Sequence, residues 1–252
     1  MGIRSAAGYT IVEVSLFLAV SSLLFIIALI GTGNTVRSSR FTDSSRSLHA
    51  FVQKKYDDIL NGVNSRPGAE VCNAGSVSSG TQTPGTSDCW LLGRLITLTR
   101  GTSIVHAYNI IGTEPAGVDY SVSDEKLIYN FQPTVVTTTG VDTFEVPWAA
   151  SISGSKRLSD NKAVDAFALI RSPRSTRIVP YVFKEPGSGY NLATLINPSD
   201  PADADNIEQT ANFCLSSAEG FGNPSKITVT GGQGQDVIQL AFDAVAGDCD
   251  GR

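Results

Sequence analysis

Residues 8–31 of the 252-residue chain read GYTIVEVSLFLAVSSLLFIIALIG. From Tyr9 to Ile30 the only charged side chain is that of Glu13, and every other residue is apolar or hydroxylic. As a helix these 22 residues span roughly 33 Å, at about 1.5 Å per residue, which matches the apolar core of a bilayer. The stretch therefore predicts a membrane-spanning helix with a carboxylate near its start.

A cleaved secretory signal peptide fits this run poorly. Such a signal has an apolar region of about 7–15 residues, followed by a cleavage site of the small-x-small type. The run is longer than that, and the sequence GTGNTVRSSR at 31–40 is not a convincing cleavage site. We expect the segment to anchor the chain in a membrane.

Apolar residues recur at helical spacing beyond the run, with Arg, Lys and Asp on the other face. Asn61, Gly62 and Asn64 end this pattern, and Pro67 follows them. The sequence therefore predicts one long helix whose second half packs one face onto the C-terminal domain. The residues of the apolar stripe are Phe41, Leu48, Val52, Tyr56 and Ile59.

The chain after Pro67 predicts a mainly antiparallel β-domain, so the expected fold class is α+β. Its apolar segments are short, rich in Val, Ile, Tyr and Phe, and separated by Gly, Pro, Asn and Asp. The segment KITVTGGQGQDVIQLAF is typical of a hairpin, because its glycine-rich part suits a turn and lacks the context of a phosphate loop. The predicted strands are LLGRLITLT, SIVHAYNII, KLIYNF, VDTFEV, AVDAFALIR, RIVPYVF, FCLS, KITVT and DVIQLAF.

Four cysteines follow the apolar run: Cys72, Cys89, Cys214 and Cys249. An even number on one side of a membrane segment indicates disulfides in an oxidising compartment, which places the C-terminal part outside. Three pairings are possible, and the sequence-local pairs Cys72–Cys89 and Cys214–Cys249 are favoured. Four reduced, buried thiols are the alternative, whereas zinc spacing is absent.

A short basic leader ending in Gly8, followed by Tyr9, Thr10, two β-branched residues and Glu13, resembles the N-terminus of type IV pilins and pseudopilins. Tyr9 stands where these families usually have Phe, and the frequent proline within the membrane helix is absent. The resemblance implies the pilin fold. Its divisions would be a leader at 1–8, a transmembrane and filament-core helix at 9–31, the amphipathic continuation at 32–64 and an extracytoplasmic β-domain at 65–252.

The same resemblance implies a maturation pathway. A prepilin peptidase would cut between Gly8 and Tyr9, and the new amine of Tyr9 would be N-methylated. The mature chain would wait in the cytoplasmic membrane with its C-terminal domain outside. An assembly platform would then move it into a helical filament with other pilin subunits at the cell surface. Its length favours a minor subunit of a type IV pilus or of a related secretion filament.

Glu13 has a physical reason to matter in this scheme. A carboxylate in hydrocarbon costs about 2.5–3.5 kcal/mol on insertion scales and marks function unless it is paired. The best partner is the cationic amine of Tyr9 on a neighbouring subunit, and that contact would set subunit register. We assign assembly to Glu13, with Thr10 of the same motif. The alternative is that Glu13 only reaches the lipid headgroups.

Other residues indicate little further chemistry. The formal net charge of −5 argues against a nucleic-acid binder, so the arginines of RSPRSTR at 171–177 are expected in a solvated turn. No cofactor is expected. Asp200, Asp203 and Asp205 are a weak calcium site, because their spacing misses the EF-hand pattern.

Two further classes of protein remain as alternatives. One is a single-pass anchored β-domain that works as a monomeric binding protein in adhesion or in DNA or polymer binding. The other is an extracytoplasmic enzyme, but the sequence shows no Ser-His-Asp or Cys-His set. His49 lies off the apolar stripe and His106 lies within a predicted strand. We therefore expect a structural subunit and no catalysis.

Overall fold

The computed structural model describes residues 10–63, 70–73, 76–81, 86–137, 140–175, 177–183, 192, 196–197, 199, 210–217, 224–230, 237–242 and 244–249. The helices are α1 (Ile11–Leu60) and α2 (Asp124–Asn130), and a 3-10 turn lies at Ala246–Asp248. The strands are β1 (Glu70–Asn73), β2 (Ser76–Ser79), β3 (Cys89–Thr97), β4 (Ile104–Thr113), β5 (Thr134–Val136), β6 (Asp142–Glu145), β7 (Ala150–Arg157), β8 (Ala166–Arg171), β9 (Ile178–Phe183), β10 (Ala211–Ser217), β11 (Ser225–Val229) and β12 (Ile238–Ala241).

One long helix and antiparallel sheets make up the fold, which confirms the expected α+β class. Strands β1 and β2 form a hairpin, and a four-stranded sheet has the order β12-β11-β10-β7. A six-stranded sheet has the order β5-β4-β3-β8-β9, with β6 also paired to β4. All strand pairs among the described residues are antiparallel, as short connections allow.

The end of α1 follows from its glycine. Gly62 has a φ of +63°, the left-handed conformation that glycine adopts without strain. The Val63 N–H donates to the Asp58 carbonyl at 2.8 Å, and the Gly62 N–H donates to the Ile59 carbonyl at 3.2 Å. This pair of bonds is the Schellman motif, which satisfies the last carbonyls of a helix.

The chain divides into two compact units between Arg40 and Phe41. Unit 1 is described from residue 10 to residue 40 and consists of the first part of α1. Unit 2 contains the rest of α1 together with all the strands. It begins at Phe41, the first residue of the predicted stripe, which is buried.

The main core of unit 2 lies between α1, one face of the six-stranded sheet and the four-stranded sheet. All five residues of the predicted stripe are buried in it, and Leu48 is 0 % exposed. Strand β8 contributes Phe167 and Leu169, while β10 contributes Phe213. The amphipathic second half of α1 is thus a structural part of the β-unit, which agrees with its one-sided sequence.

A second core covers the opposite face of the six-stranded sheet. Ala166, Ala168 and Ile170 of β8 point into it, alternating with the β8 residues of the main core. Helix α2 covers this face with Leu127 and Ile128. Because β8 is buried on both faces, its sequence from Ala166 to Ile170, AFALI, is continuously apolar instead of alternating.

Two expectations about this domain were wrong. The segment KLIYNF lies in α2 and at its end instead of forming a strand. The hydroxyl of Ser123 accepts from the Lys126 N–H at 3.4 Å, and Asp124 lies in the first turn, so local capping favours a helix. The second expectation concerns GSVSSGTQTPGTSD at 75–88, whose Ser, Thr, Gly and Pro content predicts a loop. Its residues Ser76–Ser79 instead form β2, which pairs with β1.

Candidate functional site

Thr10 and Glu13 form a capping box at the start of α1. The Glu13 N–H donates to Thr10 Oγ1 at 3.3 Å. In return, Glu13 Oε2 accepts the Thr10 N–H at 2.9 Å and the Thr10 hydroxyl at 3.0 Å. This reciprocal pattern satisfies two of the backbone donors that a helix start leaves without partners.

The capping box occupies only one oxygen of the Glu13 carboxylate. Within the part of the chain that the structure describes, Glu13 Oε1 accepts no hydrogen bond. The box holds the carboxylate at the helix start and leaves Oε1 for another donor. Gly8 and Tyr9, the expected cleavage and methylation residues, lie outside the described residues.

The sequence interpretation missed this box and assigned Glu13 only an intersubunit partner. The signal was present, because Thr-x-x-Glu immediately before an apolar run is the pattern of a capping box. A local bond does not remove the charge from the apolar segment, but it provides Glu13 with partners from its own chain. Thr10 therefore acts on Glu13 as a positioning residue.

The first part of α1 presents a surface of apolar side chains that are exposed among the described residues. Among the described residues, α1 is the helix that is long and apolar enough to cross a membrane. Its hydroxyl groups are partly satisfied internally, since Ser15 donates to the Ile11 carbonyl at 2.8 Å and Thr32 donates to the Ala28 carbonyl at 3.0 Å. The exposed apolar residues here are Ile11, Val12, Val14, Leu16, Phe17, Leu18, Val20, Leu23, Leu24, Phe25, Ile26, Ile27, Leu29 and Val36.

Both sequence-local disulfides are present in the structure. Cys72 of β1 is bonded to Cys89 of β3, with the Cα atoms 5.8 Å apart. Cys214 of β10 is bonded to Cys249, with the Cα atoms 5.7 Å apart, and this bond brackets the β11–β12 hairpin. The two bonds suit an oxidising compartment.

The three arginines of the RSPRSTR turn have partners within unit 2. Arg171 donates to the Leu60 carbonyl at the end of α1, at 3.3 Å. Arg174 lies 3.4 Å from an Asp124 oxygen, and Arg177 lies 3.4 Å from a Glu125 oxygen. Arg174 and Arg177 therefore fasten the β8–β9 turn to the start of α2, while Arg171 bonds to the end of α1.

Asp124, the first residue of α2, is the common acceptor for side chains of this turn. Ser172 donates to it at 2.6 Å and Ser175 at 2.8 Å. Burial raises the pKa of the Asp124 carboxyl. The two hydroxyl donors and the charges of Arg174 and Arg177 outweigh burial, so that the pKa lies below its ordinary value.

We expect unit 2 to lose stability in acid partly through Asp124. Because the folded-state pKa is lowered, the contribution is complete above the unfolded value of about 3.9 and is lost as the pH falls through the folded value. Asp124→Asn should cost about 2 kcal/mol at pH 7 and flatten the acid limb of stability. Urea unfolding of both proteins between pH 6 and pH 2.5 measures this, and parallel curves would contradict it.

A charge network with two buried cations and a partly exposed carboxylate joins α1 to the six-stranded sheet. Lys55 donates to Asp142 at 2.7 Å and lies 3.5 Å from Asp58. Arg94, whose side chain is fully buried, lies 3.8 Å from the same Asp142 oxygen. Sequence reasoning did not find this network, because its members come from α1, β3 and β6 and share no local pattern.

The turn between β6 and β7 is strained. Trp148 and Ala149 have φ values of +60° and +54°, and the Ala150 N–H donates to the Pro147 carbonyl at 3.4 Å. A left-handed conformation costs a non-glycine residue roughly 1–2 kcal/mol. Asn-Gly is the usual pair in such turns. The Trp148 side chain is 56 % exposed, so the strained turn holds an indole at the surface.

The remaining site expectations concern metals and histidines. Asp200, Asp203 and Asp205 lie outside the described residues, and the described segments contain no cluster of three or more His, Cys, Asp or Glu that would hold a metal ion. His49 is half-buried, with Nε2 3.3 Å from the Ile238 carbonyl at the edge of β12. His106 lies in β4, with Nδ1 3.2 Å from the Thr143 hydroxyl.

Comparisons with known proteins found no match, so a functional proposal rests on the fold and on these sites. No protein-family model matches the chain. No curated protein and no solved structure is detectably similar to it.

Proposed function

We propose that the chain is a prepilin, processed into a subunit of a type IV pilus or a related secretion filament. Its maturation would consist of cleavage between Gly8 and Tyr9 and methylation of the new Tyr9 amine. Its β-unit would lie outside the cytoplasmic membrane, and its α1 would bundle with the helices of other subunits in the filament core.

The observation that carries the proposal is the exposed apolar half of α1. Its residues from Ile11 to Leu29 are largely exposed, whereas the stripe from Phe41 onward is buried in unit 2. An apolar surface of this length needs lipid or apolar protein around it. A filament bundle supplies apolar protein, and the membrane supplies lipid before assembly.

The carboxylate explains why a filament suits the helix better than a permanent anchor. Glu13 lies in the first turn of α1, and its Oε2 already accepts both donors of Thr10. The amine of Tyr9 on an adjacent subunit would be the ionic partner of Oε1 in a dehydrated filament core. An uncleaved anchor would have no Tyr9 amine for this role, because that nitrogen would remain in the peptide bond to Gly8.

Mass spectrometry of the N-terminus tests the proposal. The chain isolated from membranes of a host with a prepilin peptidase should begin at Tyr9 and carry one added methyl group. A Gly8→Leu variant should keep Met1, because a peptidase that requires glycine beside the scissile bond would not accept the larger side chain. Wild-type protein that is embedded in the membrane and retains Met1 would refute the proposal.

A further inference from the structure

Asn61 and Gly62 follow the last residue of α1 and form the single Asn-Gly pair of the sequence. Both residues are exposed, and no atom lies within 4 Å of the place where a Cβ on Gly62 would be. Asn-Gly pairs are chemically labile, because the glycine nitrogen has no neighbouring side chain that shields it from the asparagine amide. The end of α1 therefore carries a group that can change covalently without an enzyme.

The reaction at such a pair releases ammonia and consumes water. The Gly62 nitrogen loses its proton and forms a bond to Asn61 Cγ, while the side-chain nitrogen of Asn61 gains a proton and leaves as ammonia. The product is a five-membered succinimide ring. Water then adds to either of the two ring carbonyl carbons and breaks its C–N bond, which leaves aspartate or isoaspartate at position 61.

The capping bonds of α1 hold both reacting groups. The Asn61 side-chain amide, the group that is attacked, donates to the Asp57 carbonyl at 2.9 Å. The Gly62 N–H, which carries the attacking nitrogen, donates to the Ile59 carbonyl at 3.2 Å. Ring closure has to break both bonds, so the last turn of α1 must open before the pair can react.

Arg171 of β8 holds the same turn from outside the helix. It donates to the Leu60 carbonyl at 3.3 Å, and this carbonyl belongs to the peptide that precedes Asn61. The peptides on both sides of Asn61 are thus fixed, one by the sheet and the other by the helix itself. Opening of the turn has to overcome the Arg171 bond as well.

We propose that Asn61 is a site of spontaneous deamidation whose rate is set by opening of the end of α1. A group that reacts only in a locally open form reacts in proportion to the population of that form. Isoaspartate makes the main chain one methylene longer, so the N–H groups of Gly62 and Val63 lose the register of the Schellman motif. Aspartate adds a negative charge where the partial charge of the helix end is also negative. Either product weakens the end of α1, and neither depends on filament assembly.

Incubation at neutral pH tests the reaction in the full chain in detergent, with a synthetic peptide of residues 57–63 as the unprotected reference. Mass spectrometry of the fragment that contains Asn61 measures aspartate and isoaspartate. The full chain should react about thirtyfold more slowly than the peptide, the factor that two hydrogen bonds of about 1 kcal/mol each supply. A rate equal to that of the peptide would overturn the proposal. A chain that stays unmodified at position 61 over about thirty half-lives of the peptide would overturn it too.

Two arginine variants of the β8–β9 turn form a matched pair. Arg171→Ala removes the bond to the end of α1, and deamidation of Asn61 should become about fivefold faster, the factor for one hydrogen bond of about 1 kcal/mol. Arg174→Ala removes a neighbouring cation that lies against Asp124 instead, so its rate should equal that of the wild type. Circular dichroism shows whether both variants are folded. Equal rates in the two folded variants would contradict the role of opening at α1.

Hydrogen exchange measures the same opening in the wild-type chain, without any substitution. The Gly62 and Val63 amides donate the two Schellman bonds, so their protection gives the open fraction of the turn. The deamidation rate of the chain should equal the peptide rate multiplied by this fraction. Deamidation that is tenfold faster or slower than this product would refute gating by the helix end.

Discussion

Glu13→Ala is expected to leave cleavage after Gly8 intact and to abolish incorporation of the chain into filaments. The variant removes the free Oε1 that would meet a neighbour's Tyr9 amine, and it leaves that amine without a partner in a dry core, a loss of about 3–5 kcal/mol at each contact. N-terminal mass spectrometry of membrane-resident protein and immunoblotting of sheared filaments measure the two effects separately.

Glu13→Gln is the matched control for this prediction. Glutamine still accepts from the Thr10 N–H and hydroxyl, since capping boxes use Glu or Gln, but it carries no charge. If an ionic contact sets the register, Glu13→Gln should fail to assemble as Glu13→Ala does. Normal incorporation of Glu13→Gln would show that Glu13 serves the helix start only.

The ends of α1 show how much of this fold is local in the sequence. Gly62 after an apolar stripe predicts the helix stop, and the Schellman bonds occur there. The start is equally local, because Thr10 and Glu13 have capping-box spacing. The capping box was missed because Glu13 was interpreted only as a charge within a membrane-length segment. The same carboxylate also accepts hydrogen bonds from Thr10.

The sheets could be predicted where burial determines composition. Strand β9 and strand β8 up to Ile170 are continuously apolar and were found, because strands with two covered faces need apolar residues at buried positions. Strand β7, ASISGSKR, was missed because its serine, glycine and lysine content is typical of loops. Its position depends on pairing with β10, which is distant in sequence.

The candidate sites also differ in whether a local sequence pattern predicts them. The apolar run, the capping pair and the cysteine pairs depend on spacing along the chain and can be found by inspection. The network of Lys55, Arg94 and Asp142 depends on the register between α1 and the sheet. The exposure of Trp148 depends on a turn that tryptophan rarely forms, so no local preference predicts it.

Leu48→Asp is expected to unfold unit 2 or to leave it barely stable. Leu48 is fully buried between α1 and the sheets, so the substitution replaces an apolar contact with a carboxylate that has no prepared partner. We expect a loss of about 5 kcal/mol, comparable with the whole stability of many domains. Urea unfolding of the full chain in detergent, followed by the fluorescence of Trp90 and Trp148, measures it.

Ala50→Asp introduces the same charge two residues further along α1, at an exposed position, and should cost about 0.7 kcal/mol, the difference in helix propensity. The comparison separates packing from charge, because both variants alter the net charge equally. If Leu48→Asp were as stable as Ala50→Asp, α1 would be only an appendage of the β-unit. A large difference would mean that the helix which carries the apolar segment also holds unit 2 together through its second half.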